Sequence, residues 1–489
     1  MPWWAYLIIV FVGILLRDVL QKRHTIVHNF PLLGHLRYIL ESVGPELRQY
    51  IVANNREELP FTRRQRTWIY ASSKKENHYQ GFGTDQDIHE SGYIFIKPAM
   101  MPLKADPSEE LGLPCISAKI IGPKREKPYR PKSIINISAM SYGSLSSAAI
   151  SALNKGAEQF GCYHNTGEGG ISPYHKFGSD ICFHFGTGYF GVRDDAGNFS
   201  IEKMVQTVKD NPSIKMIEVK LSQGAKPGKG GVLPASKISR EIAEIRHVKI
   251  GEAVLSPASH SAFSNVPEMV DFIETIAAHT GLPVGIKAAI GKMEMWEELA
   301  DLMKSTGFGP DFITVDGGEG GTGAAPPSFA DHVALPWVYA FSSVYKVFQQ
   351  RGLTDKITFI GSGKLGMPES AIMALAMGAD LINVAREAMI SIGCIQAQTC
   401  HTNRCPTGIA TNNKWLESGL DPARKSVRFA NYMKNLTKEI MEITHACGYE
   451  HPCQFNMDDI DISMGDNAHT APLRLAYGYQ KDEVRMAWD

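Results

Sequence analysis

The sequence predicts an α/β chain: a (β/α)8 TIM barrel with an N-terminal subdomain and a short N-terminal transmembrane or membrane-anchoring helix. Three observations predict it. From about residue 130, short apolar runs recur, each closed by a glycine-rich or polar loop and followed by a helical stretch. The residues that carry chemistry stand in those loops, where a barrel of this kind builds its site. The chain also opens on an apolar, uncharged segment unlike anything that follows it.

That opening segment, residues 2–16, reads PWWAYLIIVFVGILL, and Arg17, Lys22 and Arg23 come directly after it. At ~1.5 Å per residue it reaches about 22 Å, short of the roughly 30 Å hydrocarbon core, so Val19 and Leu20 extend it by tilt or by snorkelling of Arg17. Trp3, Trp4 and Tyr6 suit one interface, and the basic flank predicts a cytoplasmic body. A cleaved signal peptide would carry its basic residues before the apolar run. Residues 1–23 are therefore expected to be a retained membrane anchor, with a buried helix or a cleaved segment as the competing readings.

Residues 24–129 read as an N-terminal subdomain with basic patches, Arg63, Arg64 and Arg66, then Lys74 and Lys75, taken as a solvated face. Over the whole chain 50 Lys and Arg balance 51 Asp and Glu, so no nucleic-acid partner is indicated. The eight cysteines are too dilute for a secreted disulfide scaffold.

The barrel is assigned to residues 130–412. Apolar runs at 134–139, 216–221, 253–255, 284–287, 312–315, 357–360 and 381–385, with a weaker one at 162–165, supply about eight strands. Strand-then-helix alternation at that count favours a closed barrel over an open doubly wound sheet. Residues 413–489 read as a helical extension and tail.

Between Cys394 and Cys405 the chain places three cysteines, with Cys400 between them and Pro406 after the last. Soft thiolates at this spacing, closed by a Cys-Pro step, read as ligands of an iron–sulfur cluster. A structural zinc site and reduced core cysteines are the alternatives; zinc would need a fourth ligand that His401, adjacent to Cys400, is poorly placed to give. After the seventh run comes Gly361-Ser-Gly363-Lys-Leu-Gly366, a formal GxGxxG. Asp380 stands at the start of the next strand, not at its end, which disfavours a dinucleotide fold. A phosphate loop between strands seven and eight, with the helix from Pro368 and Arg386 as countercharge, is the better reading. A phosphate site beside an iron–sulfur loop points to FMN, which converts one-electron input into hydride output.

Five loops, Ser138-Ala-Met-Ser-Tyr-Gly143, Asn165-Thr-Gly-Glu-Gly-Gly170, Gln223-Gly-Ala-Lys-Pro-Gly228, Asp316-Gly-Gly-Glu-Gly-Gly-Thr-Gly323 and the cysteine segment through Ala410, resemble, in order, the FMN-binding central domain of glutamate synthase. The resemblance is closest to the stand-alone FMN-binding members of that family. It implies a barrel holding FMN and a [3Fe-4S] cluster that reduces 2-iminoglutarate, formed from 2-oxoglutarate and ammonia. By the same resemblance Cys394, Cys400 and Cys405 would bind the cluster. Met140, Ser141 and Tyr142 would lie against the flavin, with Gly317, Gly318, Gly361, Gly363 and Arg386 about its phosphate. Lys287, ending the strand VGIK, would face the reduced ring, with a barrel-end salt bridge as its alternative. Glu168, Lys226 and Arg246 resemble substrate-facing positions, and two cations fit a dicarboxylate.

The chain departs from the family pattern in three places. Pro2 follows Met1 where the large subunit begins with a catalytic cysteine, so no glutaminase activity is expected. Val232 replaces a substrate-binding glutamine, which leaves the oxo acid open. No long C-terminal β-helix follows, so ammonia would come from solvent or a partner. The expected protein is a membrane-anchored FMN and iron–sulfur oxidoreductase fed by ferredoxin or an NAD(P)H-oxidising subunit. The alternatives are a flavoprotein acting on another oxo acid or an N-methylated amine, a purine-nucleotide dehydrogenase barrel, and a non-catalytic membrane redox protein.

Overall fold

Eight short strands, buried along their length, close into one parallel barrel. They are β1 (Ile135–Ile137), β2 (His164–Asn165), β3 (Ile181–Phe185), β4 (Ile214–Lys220), β5 (Val284–Ala289), β6 (Phe312–Asp316), β7 (Thr358–Ser362) and β8 (Leu381–Val384). In the computed structural model, residues 2–21, 25–47, 56–77, 79–104, 114–465 and 469–479 are described. The barrel shuts where Ile382 on β8 lies opposite Ile135 on β1. Side chains on both faces of each strand are covered, one face by the interior and the other by helices. This is why most strands read as unbroken apolar runs.

The run at 253–255 is not a barrel strand. Val254–Leu255 pairs antiparallel with Val232–Leu233 in a separate two-stranded hairpin. The missing barrel strand is β3, ICFHF in sequence. Between β2 and β3 the chain makes one short 3-10 turn, Pro173–His175, instead of a crossover helix, so the strand-then-helix rhythm passes over it.

The barrel interior carries a polar knot among its aliphatic side chains. Glu218 of β4 accepts hydrogen bonds from Asn165 of β2 at 2.7 Å and Thr314 of β6 at 2.5 Å, and pairs with His184 Nδ1 of β3 at 2.6 Å. Burial raises the Glu218 carboxyl, but His184, Lys287 and Thr314 outweigh it and hold the group at about 2. A fully satisfied buried network of this kind fixes strand register rather than adding large net stability.

Outside, helix Ser147–Phe160 is capped by Ser146, whose side chain accepts from the Ala149 amide at 3.1 Å, an interaction worth about 1 kcal/mol. The 25-residue helix Pro422–Ala446 crosses it at Gly156. A Cβ there would stand 2.7 Å from the Phe429 ring and from the Ser426 carbonyl, so only glycine allows the crossing. Farther on, Ile460–Ser463 pairs with both Ile94–Ile96 and Thr470–Pro472, joining the segment before the barrel to the segment after it in one small sheet.

The chain divides into two compact units, residues 1–67 and 68–489. In the first, helix Trp3–Leu20 is long and apolar enough to cross a membrane, and it extends past the uncharged run through Arg17 and Asp18. Buried Asp18 accepts from the Leu32 amide at 3.0 Å and meets His35 Nε2 at 2.9 Å.

Candidate active site

The C-terminal ends of the strands deliver charged side chains to two adjoining clefts. The larger encloses about 510 Å³ and is lined by Ser138 after β1, Lys287 on β5, Asp316 on β6, Ser362 and Gly363 at the end of β7, and Arg386 after β8. Lys287 is 5% exposed, and among the described residues its ammonium has only long polar contacts, 3.5 Å to Ser138 Oγ and 3.7 Å to Asp316 Oδ1. Asp316 is occupied elsewhere, accepting from Ser362 Oγ at 2.8 Å and from the Gly224 amide at 2.9 Å. An ammonium has three donors, so Lys287 retains capacity directed at the cleft.

At the β7–β8 end of this cleft the backbone is shaped for close approach. Gly363 holds φ +147°, and a Cβ on it would lie 3.2 Å from the Gly317 amide nitrogen. Arg386 donates to the Glu319 carbonyl, and burial lowers its pKa. Lys364 on the same loop is pushed down by burial and by Arg386. Two cations crowded at a glycine turn suit an anionic group such as a phosphate. Gly361 itself lies within β7, where a Cβ would be 2.8 Å from Leu365 and 2.9 Å from Trp337. Its smallness serves packing.

The second cleft encloses about 300 Å³ and shares Lys220 and Gln223 with the first. Lys220 Nζ, at the end of β4, contacts Glu168 Oε2 at 2.8 Å and donates to Gln223 Oε1 at 2.6 Å. Burial raises the Glu168 carboxyl, but Lys220, His184 and Arg246 outweigh it and hold the group at about 2. A Cβ on Gly231 would come within 2.6 Å of Glu168 Oε1, which keeps that wall bare. Lys226 donates to the Ala324 carbonyl at 2.8 Å, and burial lowers its pKa.

The structure thus gathers Lys287, Gly363 and Arg386 in one cleft and Glu168 and Lys226 in the other. Arg246 lines neither. It is 3% exposed, donates to Ser141 Oγ at 3.2 Å and to the Tyr142 carbonyl at 2.9 Å, and lies over the Phe190 ring. Burial brings its pKa to about 10. Met140, Ser141 and Tyr142 are buried and line neither cleft, with the Tyr142 hydroxyl donating to Glu241 at 2.5 Å. Gly317 and Gly318 follow β6, the first donating its amide to the Ser362 carbonyl at the end of β7 and the second to the Leu335 carbonyl in a loop. Lys220 was legible but unread: IEVK ends β4 as VGIK brackets Lys287 on β5.

The cysteine loop lies apart from the clefts. Cys394, Cys400 and Cys405 are free thiols. Burial raises the Cys405 thiol, but Thr407 and the amides of Ala410, Thr407 and Ile409 bring it below its ordinary value. Burial and Cys405 push Cys400 up. Buried Lys237 donates to the Ser144 and Ala410 carbonyls at 3.0 and 2.9 Å and faces both thiols. Amide and ammonium donors around sulfur fit thiolate chemistry. Among the described residues no group of three or more His, Cys, Asp or Glu side chains is gathered closely enough to hold a metal ion.

Comparison with known proteins adds identity to this geometry. A family model described as the conserved region in glutamate synthase matches residues 72–450. The chain is 39% identical over 488 residues to the glutamate synthase large subunit-like protein YerD of Bacillus subtilis, covering 93% of this chain and 92% of that one. It is 33% identical over 317 residues to the archaeal-type glutamate synthase (NADPH) of Thermotoga maritima, covering 64% of this chain but only 59% of that protein. Among solved structures, a mutant flavocytochrome b2 with pyruvate bound aligns over 98% of both chains at 13% identity and a TM-score of 0.45.

Proposed function

The chain belongs to the glutamate synthase family, and from that premise we propose that it is an FMN-dependent oxidoreductase that reduces the imine of 2-oxoglutarate and ammonia to glutamate. The observation that carries this reading is the junction of the two clefts at Lys220 and Gln223. A cofactor in the larger cleft and an acceptor in the smaller one would meet there.

FMN, when bound, would supply hydride from electrons delivered singly. The chain's own residues prepare that exchange. Gly363 and Arg386 would take the phosphate. Lys287 would hold positive charge against the reduced ring, a preorganised effect that a water-exposed lysine could not match. Lys226 and Lys220 would give charge-assisted hydrogen bonds to an acceptor carboxylate. Glu168, ionised throughout the neutral range, orients Lys220 and does not act as an acid. Arg246 is a positioning residue that holds the 141–142 loop.

Cys394, Cys400 and Cys405 would have to draw closer together to hold a [3Fe-4S] cluster for electron entry from ferredoxin or an NAD(P)H-oxidising subunit, and the amide donors at Cys405 favour its thiolate. Helix Trp3–Leu20 would anchor a cytoplasmic body to the membrane. The test is glutamate formation from 2-oxoglutarate and saturating ammonium by purified protein with a competent reductant, alongside flavin and iron analysis. Absence of glutamate from flavin-loaded protein overturns the reaction and leaves the flavoprotein reading. One observation favours a second acceptor, another oxo acid or an N-methylated amine. Val232, half-buried, follows the bare Gly230–Gly231 wall in sequence and does not itself line that cleft, so it brings no hydrogen-bonding side chain there.

A further inference from the structure

The basic patch at Lys74 and Lys75 is absorbed by neither cleft, and the fold brings it to the cysteine loop. Helix Arg63–Lys74 carries Tyr70, whose hydroxyl donates to the Cys394 carbonyl at 2.6 Å. Asn431, on helix Pro422–Ala446, donates to the Ser73 carbonyl at 3.1 Å, tying the end of one helix to the early turns of the other. Lys425 on that second helix reaches the loop: a Cβ on Gly393 would lie 2.9 Å from its ammonium. Arg428 follows at i+3, on the same face.

These cations outweigh the anions near them. Among the described residues neither Lys425 nor Arg428 has a carboxylate within 4.0 Å. Lys74 meets Glu76 at 3.6 Å with both side chains more than a third exposed, a pairing worth little. Burial lowers the Lys425 pKa and Arg428 and Lys74 lower it further by repulsion, while Asp421, itself paired with Arg424 at 3.6 Å, offsets them only in part. Exposed Val427 adds an apolar spot beside them. A half-exposed cluster of like charges is relieved by an anionic surface, and complementary fields of this kind raise encounter rates more than they raise affinity.

We infer that Lys74, Lys425 and Arg428, beside Cys394, form the docking surface for an acidic one-electron donor protein. This rests on the reading of the cysteine loop as the point of electron entry. Two reduced donors in succession would each give one electron and leave oxidised. The two electrons with two protons would convert one imine to one amine.

The test uses the full chain in non-ionic detergent with a plant-type [2Fe–2S] ferredoxin, a strongly acidic donor, as the probe. Association should weaken as salt rises. Lys425→Glu with Arg428→Glu should slow association by about tenfold at low ionic strength, and the neutral pair Lys425→Gln with Arg428→Gln by less. Iron content, flavin content and flavin reduction by dithionite should not change. Salt-insensitive binding, or equal binding by wild type and both variants, overturns the proposal. So does a loss confined to phosphatidylserine vesicles with ferredoxin binding intact, which would assign the patch to lipid. Iron-free protein that still binds ferredoxin through these residues would keep the docking surface and defeat the cluster reading; iron-loaded protein without charge-dependent binding would do the reverse.

Discussion

Lys220, the last residue of β4, and Lys287, two residues before the end of β5, stand opposite each other in the register of the two strands, yet the barrel treats them differently. Lys220 is clamped by Glu168 and Gln223 at 2.8 and 2.6 Å. Lys287, equally enclosed, has no hydrogen-bond or ion-pair partner nearer than 3.5 Å among the described residues. A buried ammonium is tolerated when paired, so the first lysine is largely accounted for by the protein and the second is not. The difference separates a lysine that builds the wall from one that waits for a charge brought by a ligand.

Replacing Lys287 breaks the comparison most sharply. Lys287→Met should cut turnover by about 100- to 1000-fold, the cost of losing one preorganised charge at the reacting centre. The fold should survive, because no carboxylate depends on Lys287 alone. Steady-state rates and a thermal melt, measured together, check both halves.

Lys220→Met should do the opposite and appear first in stability. It leaves half-buried Glu168 without its closest cation, a loss of about 1.5 to 3 kcal/mol that calorimetry or urea titration would detect. Lys226 is held by one carbonyl, so Lys226→Ala should spare the fold and cost roughly 1.5 to 3 kcal/mol of acceptor binding, about 10- to 150-fold in the KM for 2-oxoglutarate.

The pH dependence sharpens the same contrast. Glu168 and Glu218 are both held at about 2 in the fold, against an ordinary value near 4.5. Depressed carboxylates contribute stability that is complete above the ordinary value and is lost as pH falls through the folded value. Stability should therefore decline between about pH 4.5 and 2, and Lys220→Met should flatten that decline by removing Glu168's part of it. Unfolding free energies measured across that window test the expectation.

Most of the barrel could be read from the chain because its strands are apolar on both faces. The strand that was missed, β3, follows β2 without a crossover helix and carries His184 in its middle, so neither rhythm nor composition singled it out. The hairpin strand Val254–Leu255 took its place because a short apolar run looks the same whether it closes a barrel or pairs with a neighbouring loop. Single residues were harder to place. The loop motifs marked Glu168, Lys226, Gly363 and Arg386, which line the clefts. They also marked Arg246, which faces the backbone of 141–142, since motif spacing records which residues occur and not which way they point. The pairs Lys220–Glu168 and His184–Glu218 join residues far apart in sequence, and no local pattern announces them.

In the proposed reaction Lys287 would hold positive charge beside bound FMN, and the Lys220–Gln223 junction would hold the imine to which FMN would supply hydride. The most direct test of that reaction is anaerobic mixing of prereduced protein with 2-oxoglutarate and ammonium while the flavin absorbance is followed. The account predicts reoxidation that needs both compounds, yields one glutamate per flavin, and slows sharply in Lys287→Met. Flavin that stays reduced in their presence, in protein shown to hold FMN, would contradict it.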